Sequence, residues 1–147
     1  MRPIELDNIA KKGYFKEAIR DQAELDQMLK VAQDQLKDSR NASINAHSRY
    51  MMAYEGLHSL AMMCLLHYEL RPSDQAGHRT LALQKFCEIL NLGGGMMKIV
   101  TDTHTRRNEA TYRSALPPLT HKDAEMVIKV LEKALPLAES LIAKNTK

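Results

Sequence analysis

Apolar residues recur at helical spacing along most of the chain. The clearest case is Leu25, Met28, Leu29, Ala32 and Leu36, which follow the i, i+3, i+4, i+7 pattern of one helical face. The positions between them are mainly Asp, Gln and Lys, so this helix packs on one side and meets water on the other. It is predicted to end at the polar run of residues 38–41, which also offers caps for the next element.

Further helices are predicted at residues 4–12, 42–70, 77–90 and 96–114 and from residue 120 onward. The helix at 42–70 is apolar nearly all round, which indicates that other helices enclose it. Its Gly56 costs about 1 kcal/mol relative to alanine and therefore indicates a close helix crossing. Thr120 and Asp123 resemble a capping box for the last helix, and Pro136 is expected to kink or interrupt that helix.

These elements predict an all-α, up-and-down bundle of four to five main helices plus a short N-terminal helix. Hydrophobic residues make up 44% of the chain and charged residues 27%, which is typical of a globular protein. We interpret residues 1–147 as one domain, with 1–20 an accessory N-terminal segment and 21–146 the bundle. The most apolar stretch, 51–66, is too short and too polar to span a bilayer, so we expect a cytoplasmic protein.

Neither the histidines nor the cysteines form a recognised metal or catalytic motif. Cys64 and Cys87 lie in apolar helical context and are expected to be reduced core residues. Glu55 and His58 make one Glu-x-x-His pair, but a di-iron bundle needs a second pair and two further glutamates. The glycines at 93–95 fit an interhelical turn better than a phosphate-binding loop. We therefore expect no metal and no cofactor.

The densest cluster of reactive side chains lies on the helix predicted before the last one. Its apolar stripe is interrupted by Arg107, and a polar stripe of His104, Asn108 and Tyr112 runs beside that stripe. Burying an unpaired charge is costly, so an arginine on a packing face needs acceptors there. Two explanations stay open: Arg107 and Glu55 pair across the core, or each of them extends to water.

The polar residues of this helix also allow two interpretations of their role. A polar seam between helices is the simpler one. The alternative is a ligand site, but Arg107 and Tyr112 diverge by about 140° on one helix, so they converge only in a groove completed by another surface. Two-fold pairing of the helix with a second copy would complete such a groove, and the groove would suit a phosphodiester. The net charge of +3 permits an anionic ligand without arguing for one.

Several stretches of the chain resemble the HEPN family of small helical bundles. Arg107-Asn108 resembles the motif of a late helix in that family, in which an arginine and a polar residue precede a histidine. Tyr112 stands where the histidine would be. The resemblance extends over nearly the whole chain and is carried further by residues 6–7, 11–13, 23–39, 48–57, 71–72 and 77–79.

The resemblance implies a homodimeric, metal-independent endoribonuclease whose motif helices meet across the interface. Arg107 would then bind the scissile phosphate, Asn108 would be an orienting neighbour, and Tyr112 would take the acid/base position. Because an unperturbed tyrosine has a pKa near 10, Tyr112 is a poor base at neutral pH. The tyrosine in place of the histidine indicates that this chain is more similar to the family members that bind or regulate a partner than to those that cleave RNA.

Three hypotheses follow. The first is a non-catalytic or weakly active protein that binds RNA or a nucleotide, as a homodimer formed through the helix at 96–114. The second is a metal-independent endoribonuclease, such as the toxin of a toxin–antitoxin pair. The third is a protein-binding module whose partner is a nucleotidyltransferase. The predicted binding residues are Arg107, Asn108, His104, Tyr112 and Arg106. The predicted structural polar positions are Glu55, Gly56 and His78.

Overall fold

The computed structural model describes residues 2–74, 77–112 and 118–143, with the side chains of all of these except 109–112. Within these ranges the chain forms six helices and two short strands. In chain order the elements are α1 (Ile4–Lys11), β1 (Phe15–Glu17), α2 (Gln22–Ser39), α3 (Ala46–His67), β2 (Leu70–Pro72), α4 (His78–Ile89), α5 (Gly94–Tyr112) and α6 (His121–Ala143).

Helix α3 is the centre of an all-α bundle, as its continuous apolar sequence predicts. It contacts α2, α4, α5 and α6, and residues on every side of it are buried. Both cysteines belong to this core, and burial raises the pKa of the Cys64 and Cys87 thiols. The prediction of a helical bundle with reduced, buried cysteines is therefore confirmed.

The close helix crossing expected at Gly56 is present between α3 and α6. A Cβ built on Gly56 would lie 2.7 Å from Cδ2 of Leu131 and 3.4 Å from Cβ of Gln35 on α2. Because Leu131 is fully buried, it has little room to move away. The absence of a side chain at Gly56 thus lets three helices approach one another.

Capping side chains set the helix starts. Asp21 accepts a hydrogen bond from the Ala23 amide at 3.0 Å and begins α2. Asn45 accepts one from the Ser48 amide at 2.8 Å. Helix α3 therefore starts at residue 46, later than the predicted start at residue 42.

The capping box predicted for α6 is reciprocal. The Thr120 amide donates to Asp123 Oδ2 at 2.9 Å, and the Asp123 amide donates to Thr120 Oγ1 at 3.1 Å. The predicted interruption at Pro136 is wrong, because α6 continues through it to residue 143. Pro136 lies on the exposed side of the helix, away from the packed interface.

The two strands were not predicted. Helix α3 ends at His67, and strand β2 begins at Leu70, where the predicted helix at 42–70 was expected to end. Strand β1 pairs with β2 in antiparallel register, with Phe15 opposite Pro72 and Glu17 opposite Leu70. This pairing holds the N-terminal segment against the bundle. Leu6 and Phe15 are buried there with Leu65, so the segment predicted to be accessory contributes to the hydrophobic core.

Within residues 2–74, 77–112 and 118–143, no helix is long and apolar enough to cross a bilayer.

Candidate functional site

Helix α5 places its polar residues at the edge of the core. Val100 and Thr103, on its packing stripe, are 0% and 2% exposed, and the Thr103 hydroxyl donates to the Ile99 carbonyl at 2.6 Å. One turn later Arg107 lies on the same stripe, and its side chain is 27% exposed. The stripe therefore leaves the core at Arg107, where the side chain reaches across to α3.

Arg107 and Glu55 are paired, but at the surface of the bundle and not across its core. Arg107 Nη2 lies 3.5 Å from Glu55 Oε2, and the Glu55 side chain is 43% exposed. This long contact between two partly exposed side chains differs from the bidentate core pair that was one of the two open explanations. It combines features of both explanations, since the side chains pair and also reach water.

The guanidinium of Arg107 is also held against an aromatic ring. Its Cζ lies 5.4 Å from the centroid of the Tyr54 ring, within the range of a cation–π contact. Arg107 Nη1 donates to Asn108 Oδ1 at 3.4 Å. The sequence pattern had assigned no role to Tyr54, and the structure places it under the arginine.

His104 connects Asn108 to Tyr54. Its Nε2 lies 3.4 Å from the Asn108 amide nitrogen, and its Nδ1 lies 2.8 Å from the Tyr54 hydroxyl. Burial lowers the pKa of His104, and the charges of Arg79 and Arg107 lower it further. This shift favours the neutral form of His104, and both of its ring nitrogens are engaged inside the protein.

A second imidazole, that of His58, also lies near the Tyr54 ring. The His58 and His104 rings are nearly parallel to it, at interplanar angles of 22° and 25° and centroid distances of 6.3 and 6.0 Å. Burial lowers the pKa of His58 to about 4, and Arg79 and Arg107 contribute to the shift. Two imidazoles with lowered pKa values thus lie near one tyrosine.

Arg79, from the first turn of α4, completes this group. It is half-buried and approaches Tyr54, whose pKa is raised by burial and partly lowered again by Arg79. Tyr54, His58, Arg79, His104 and Arg107 are called the Tyr54 cluster below. Residues of α3, α4 and α5 of the same chain therefore contribute to this group.

The Tyr54 cluster has an excess of positive charge. Within residues 2–74, 77–108 and 118–143, Glu55 lies within 4.0 Å of Arg107, and no carboxylate lies within that distance of Arg79. Among the described side chains, two guanidinium groups thus lie near one carboxylate, which is itself partly exposed. Such an arrangement favours an anion over a cation.

A cleft of about 360 Å³ opens beside the Tyr54 cluster, between α3, β2 and the start of α4. His58 and Arg79 belong to both the cluster and the cleft. His78, predicted as a structural polar position, lies here as well, at the first position of α4. The other lining residues are Lys16, Met28, Met62, Leu70, Arg71, Pro72, Ser73 and Asp74.

Arg106 does not join the other predicted site residues. It lines a separate cleft of about 360 Å³ between α5 and α6, with Tyr50 and Asp123. Its charge lowers the pKa of Asp123, although a backbone hydrogen bond from Thr120 contributes most to that shift. The structure therefore brings together His104, Arg107 and Asn108 and places Arg106 on the side facing α6.

The remaining predicted site residue, Tyr112, has a side chain outside the described residues, although its backbone ends α5. In the part of the chain that is described, no three His, Cys, Asp or Glu residues are grouped so that they could hold a metal ion.

A buried arginine that the sequence pattern did not single out lies at the other end of α3. Arg49 is 4% exposed, and its Nε donates to the Ser39 carbonyl at 2.8 Å. Its Nη1 donates to His121 Nδ1 at 2.8 Å and lies 3.7 Å from Glu125. These contacts join α2, α3 and α6, so Arg49 is a structural residue.

The sequence contained a signal for part of the Tyr54 cluster. Tyr54 and His58 are spaced four apart on one face of an otherwise apolar helix, as His104 and Asn108 are on α5. Arg79 gave no such signal, because its position depends on how α4 packs.

No protein-family model, curated protein or solved structure matches the chain.

Proposed function

We propose that this protein is a HEPN-like, non-catalytic or weakly active protein that binds RNA or a nucleotide through phosphate recognition at the Tyr54 cluster. The observation that carries the proposal is the position of Arg107. Its planar guanidinium is oriented by the Tyr54 ring and by Asn108 and is paired with one partly exposed carboxylate. A phosphate can replace Glu55 there and accept two parallel hydrogen bonds from the guanidinium.

The geometry supports binding more strongly than catalysis. A general base needs a nitrogen directed at the substrate proton, but both nitrogens of His104 are engaged by Tyr54 and Asn108. His104 therefore positions its neighbours. The ribonuclease hypothesis keeps one observation in its favour, which is that an imidazole with a lowered pKa lies beside Arg107.

Binding is tested with a labelled single-stranded RNA in EDTA, by fluorescence anisotropy between about 50 and about 200 mM salt. Arg107→Ala is expected to weaken binding by about 10- to 100-fold, the effect of losing charge-assisted hydrogen bonds. It should also reduce the salt dependence by about one phosphate contact. Arg40→Ala is the matched control, because Arg40 is an exposed arginine far from the cluster, paired with Glu132.

Equal affinities of the Arg107→Ala and Arg40→Ala variants would refute phosphate recognition at this site. Cleavage of the RNA in EDTA, lost in both Arg107→Ala and His104→Ala, would establish the ribonuclease instead. The Tyr112→Phe variant shows whether the motif position contributes to either activity. If the protein does not interact with RNA at all, the remaining hypothesis is the protein-binding module, and a nucleotidyltransferase is then the partner to test.

The homodimer remains part of the proposal. Lys98, Asp102 and Thr105 are the exposed positions in the middle of α5, so a pairing through this helix would rest on polar contacts. The monomer mass is 16.7 kDa, and light scattering distinguishes it from twice that value. If the measured mass stays at that of the monomer at every protein concentration, the homodimer is refuted. The proposed site, which lies within one chain, does not depend on that result.

A further inference from the structure

The cleft between α3, β2 and the start of α4, called the β2–α4 cleft below, has an apolar wall. The wall comes from α2, α3 and β2 and consists of Met28, Met62, Leu70 and Pro72. Two of these side chains are methionines, whose flexible thioethers adapt to ligands of different shape. The volume of about 360 Å³ is at the small end of the range for ligand pockets, so the cleft has room for one small ring system.

Packed elements of the bundle hold this wall in place. His58 and Met62 are four residues apart on α3 and therefore project from the same face of that helix. The Ser59 hydroxyl donates to the Met28 carbonyl at 2.8 Å and so joins α2 to this turn of α3. Leu70, at the start of β2, is fully buried. The wall is thus formed by the folded bundle before any ligand binds.

The rim of the β2–α4 cleft is cationic. Lys16 and Arg71 are opposite each other in the β1–β2 pairing, and both line the cleft with Arg79. Arg71 donates to both oxygens of Glu24, at 2.8 and 2.9 Å, and so has a counter-ion. Among the described residues, no carboxylate lies within 4.0 Å of Lys16 or Arg79, and Asp74 is the one acidic residue of the lining. The rim therefore favours an anionic ligand over a cationic one.

Two planar groups, the His58 imidazole and the Arg79 guanidinium, line the same cleft. Burial lowers the pKa of His58 to about 4, so its ring is uncharged at pH 7. Imidazole rings and guanidinium planes are groups on which unpaired nucleobases stack in complexes with RNA. The cleft thus combines apolar contact, stacking surfaces and positive charge, which are the features that a nucleotide requires.

The β2–α4 cleft is close to Arg107. The centroid of the His58 ring lies 6.3 Å from the centroid of the Tyr54 ring, and Cζ of Arg107 lies 5.4 Å from that same centroid. Because both distances are measured to one ring, a strand whose phosphate is held at Arg107 can bring a neighbouring nucleotide to the cleft.

We infer that the β2–α4 cleft binds one unpaired nucleotide of the RNA, with its base against Met28 and Met62 and its phosphate at Arg79. This inference rests on the proposed function and specifies the substrate as single-stranded RNA. A base in a duplex is covered by its neighbours on both faces and by its partner on the Watson–Crick edge, so it cannot enter the cleft.

The first test compares a single-stranded RNA with the same strand annealed to its complement, by anisotropy in EDTA with the full chain. The single strand is expected to bind at least about tenfold more tightly, because the duplex cannot place a base in the cleft. Arg79→Ala should weaken binding of the single strand by about tenfold and leave binding of the duplex nearly unchanged. Arg40→Ala, at an exposed arginine paired with Glu132, is the matched control and should change neither affinity.

The second test locates the base, using a series of RNAs that each lack one base. At one position the missing base is expected to weaken binding to the unsubstituted chain by about tenfold. Met62→Ala removes part of the wall and should weaken binding of the intact RNA, and the missing base should then have little further effect. Met126→Ala is the matched control, because Met126 is an exposed methionine that lines the cleft beside Arg106.

The outcomes separate this inference from the proposed function. Equal affinities for the single strand and the duplex, both weakened by Arg107→Ala, would overturn the nucleotide site and leave phosphate recognition in place. An effect of the missing base that is equal in Met62→Ala and Met126→Ala would place the base outside the cleft. Thermal unfolding identifies a variant that does not fold; if Met62→Ala is one, an unchanged preference for the single strand in Arg79→Ala overturns the inference. Absence of binding by every RNA would overturn both proposals.

Discussion

Arg49, which belongs to helix α3, and Arg107, which packs against it, behave differently. Arg49, near the start of α3, is 4% exposed and donates to a carbonyl and an imidazole at 2.8 Å each. Arg107, packed against the middle of α3, is 27% exposed, and its contacts with Glu55 and Asn108 are 3.5 and 3.4 Å long. The first is enclosed by short contacts within the protein, whereas the contacts of the second with Glu55 and Asn108 are long enough for a ligand to replace them.

The difference shows how structural and ligand-binding arginines can be distinguished. A buried guanidinium is tolerated only when its donors are satisfied internally, so Arg49 contributes to the joining of α2, α3 and α6. A guanidinium at the protein surface keeps its hydration and exchanges partners readily. Substitutions at Arg49 and at the Glu55–Arg107 pair test this comparison, and the pH dependence of stability tests the burial of His58 in the Tyr54 cluster; the largest expected effect comes first.

Replacing Arg49 by methionine should lower the free energy of unfolding by about 3 kcal/mol, because the Ser39 carbonyl and His121 lose a buried donor. Urea denaturation measures this change. Arg40→Met is the matched control, since Arg40 is 54% exposed and pairs with Glu132 at the surface. It should cost less than about 1 kcal/mol. Equal effects of the two substitutions would show that Arg49 is not a structural residue.

The second experiment concerns pH. The pKa of His58 is lowered from 6.5 to about 4, mainly by burial. Between these values the unfolded chain binds a proton that the folded chain excludes, so the free energy of unfolding should fall as the pH decreases from about 6.5 towards 4. His67 is shifted to about 4 for the same reason and adds to the effect.

Urea denaturation at pH 7 and pH 5 measures this pH dependence. His58→Gln should reduce it, whereas His47→Gln should leave it unchanged, because His47 is exposed. An unchanged pH dependence in His58→Gln would mean that His58 takes up a proton in the folded protein as easily as in the unfolded one.

The smallest effect is expected for the Glu55–Arg107 pair. Because the contact is 3.5 Å long and both side chains are partly exposed, the coupling free energy between Glu55→Gln and Arg107→Lys should be below about 1 kcal/mol. A double-mutant cycle in urea measures it. A coupling free energy of about 2 kcal/mol or more would show that the two residues form a buried ion pair. Arg107 would then be a structural residue, as Arg49 is.

Much of the fold could be predicted from local pattern. The periodic apolar residues of α2, the continuous apolar run of α3 and the Thr120–Asp123 capping box each act over one or two helical turns. The two strands are only three residues long, and each is defined by a partner far along the chain, so no local periodicity marked them. The start of α3 depended on Asn45, one of several possible caps in residues 38–45.

The site could be predicted only in part, because local sequence pattern does not show contacts between elements that are distant along the chain. His104 and Asn108 share a face of one helix, and the four-residue spacing is visible in the sequence. Tyr54 and Arg79 reach the same place because α3, α4 and α5 pack together, which is a tertiary property. Arg49 had no signal at all, since a single arginine in the first turn of a helix ordinarily lies in water.

The pairing of β1 with β2 has a consequence for the order of folding. The partners Phe15 and Pro72 lie more than 50 positions apart, so their contact forms only after α2 and α3 have brought the two segments together. The strand pair is therefore expected to form late during folding and to open first under tension applied to the N-terminus. Lys16 of β1 and Arg71 of β2 both line the cleft beside the Tyr54 cluster. Opening of the strand pair would therefore move these two residues apart and widen the cleft while the helical bundle remains folded.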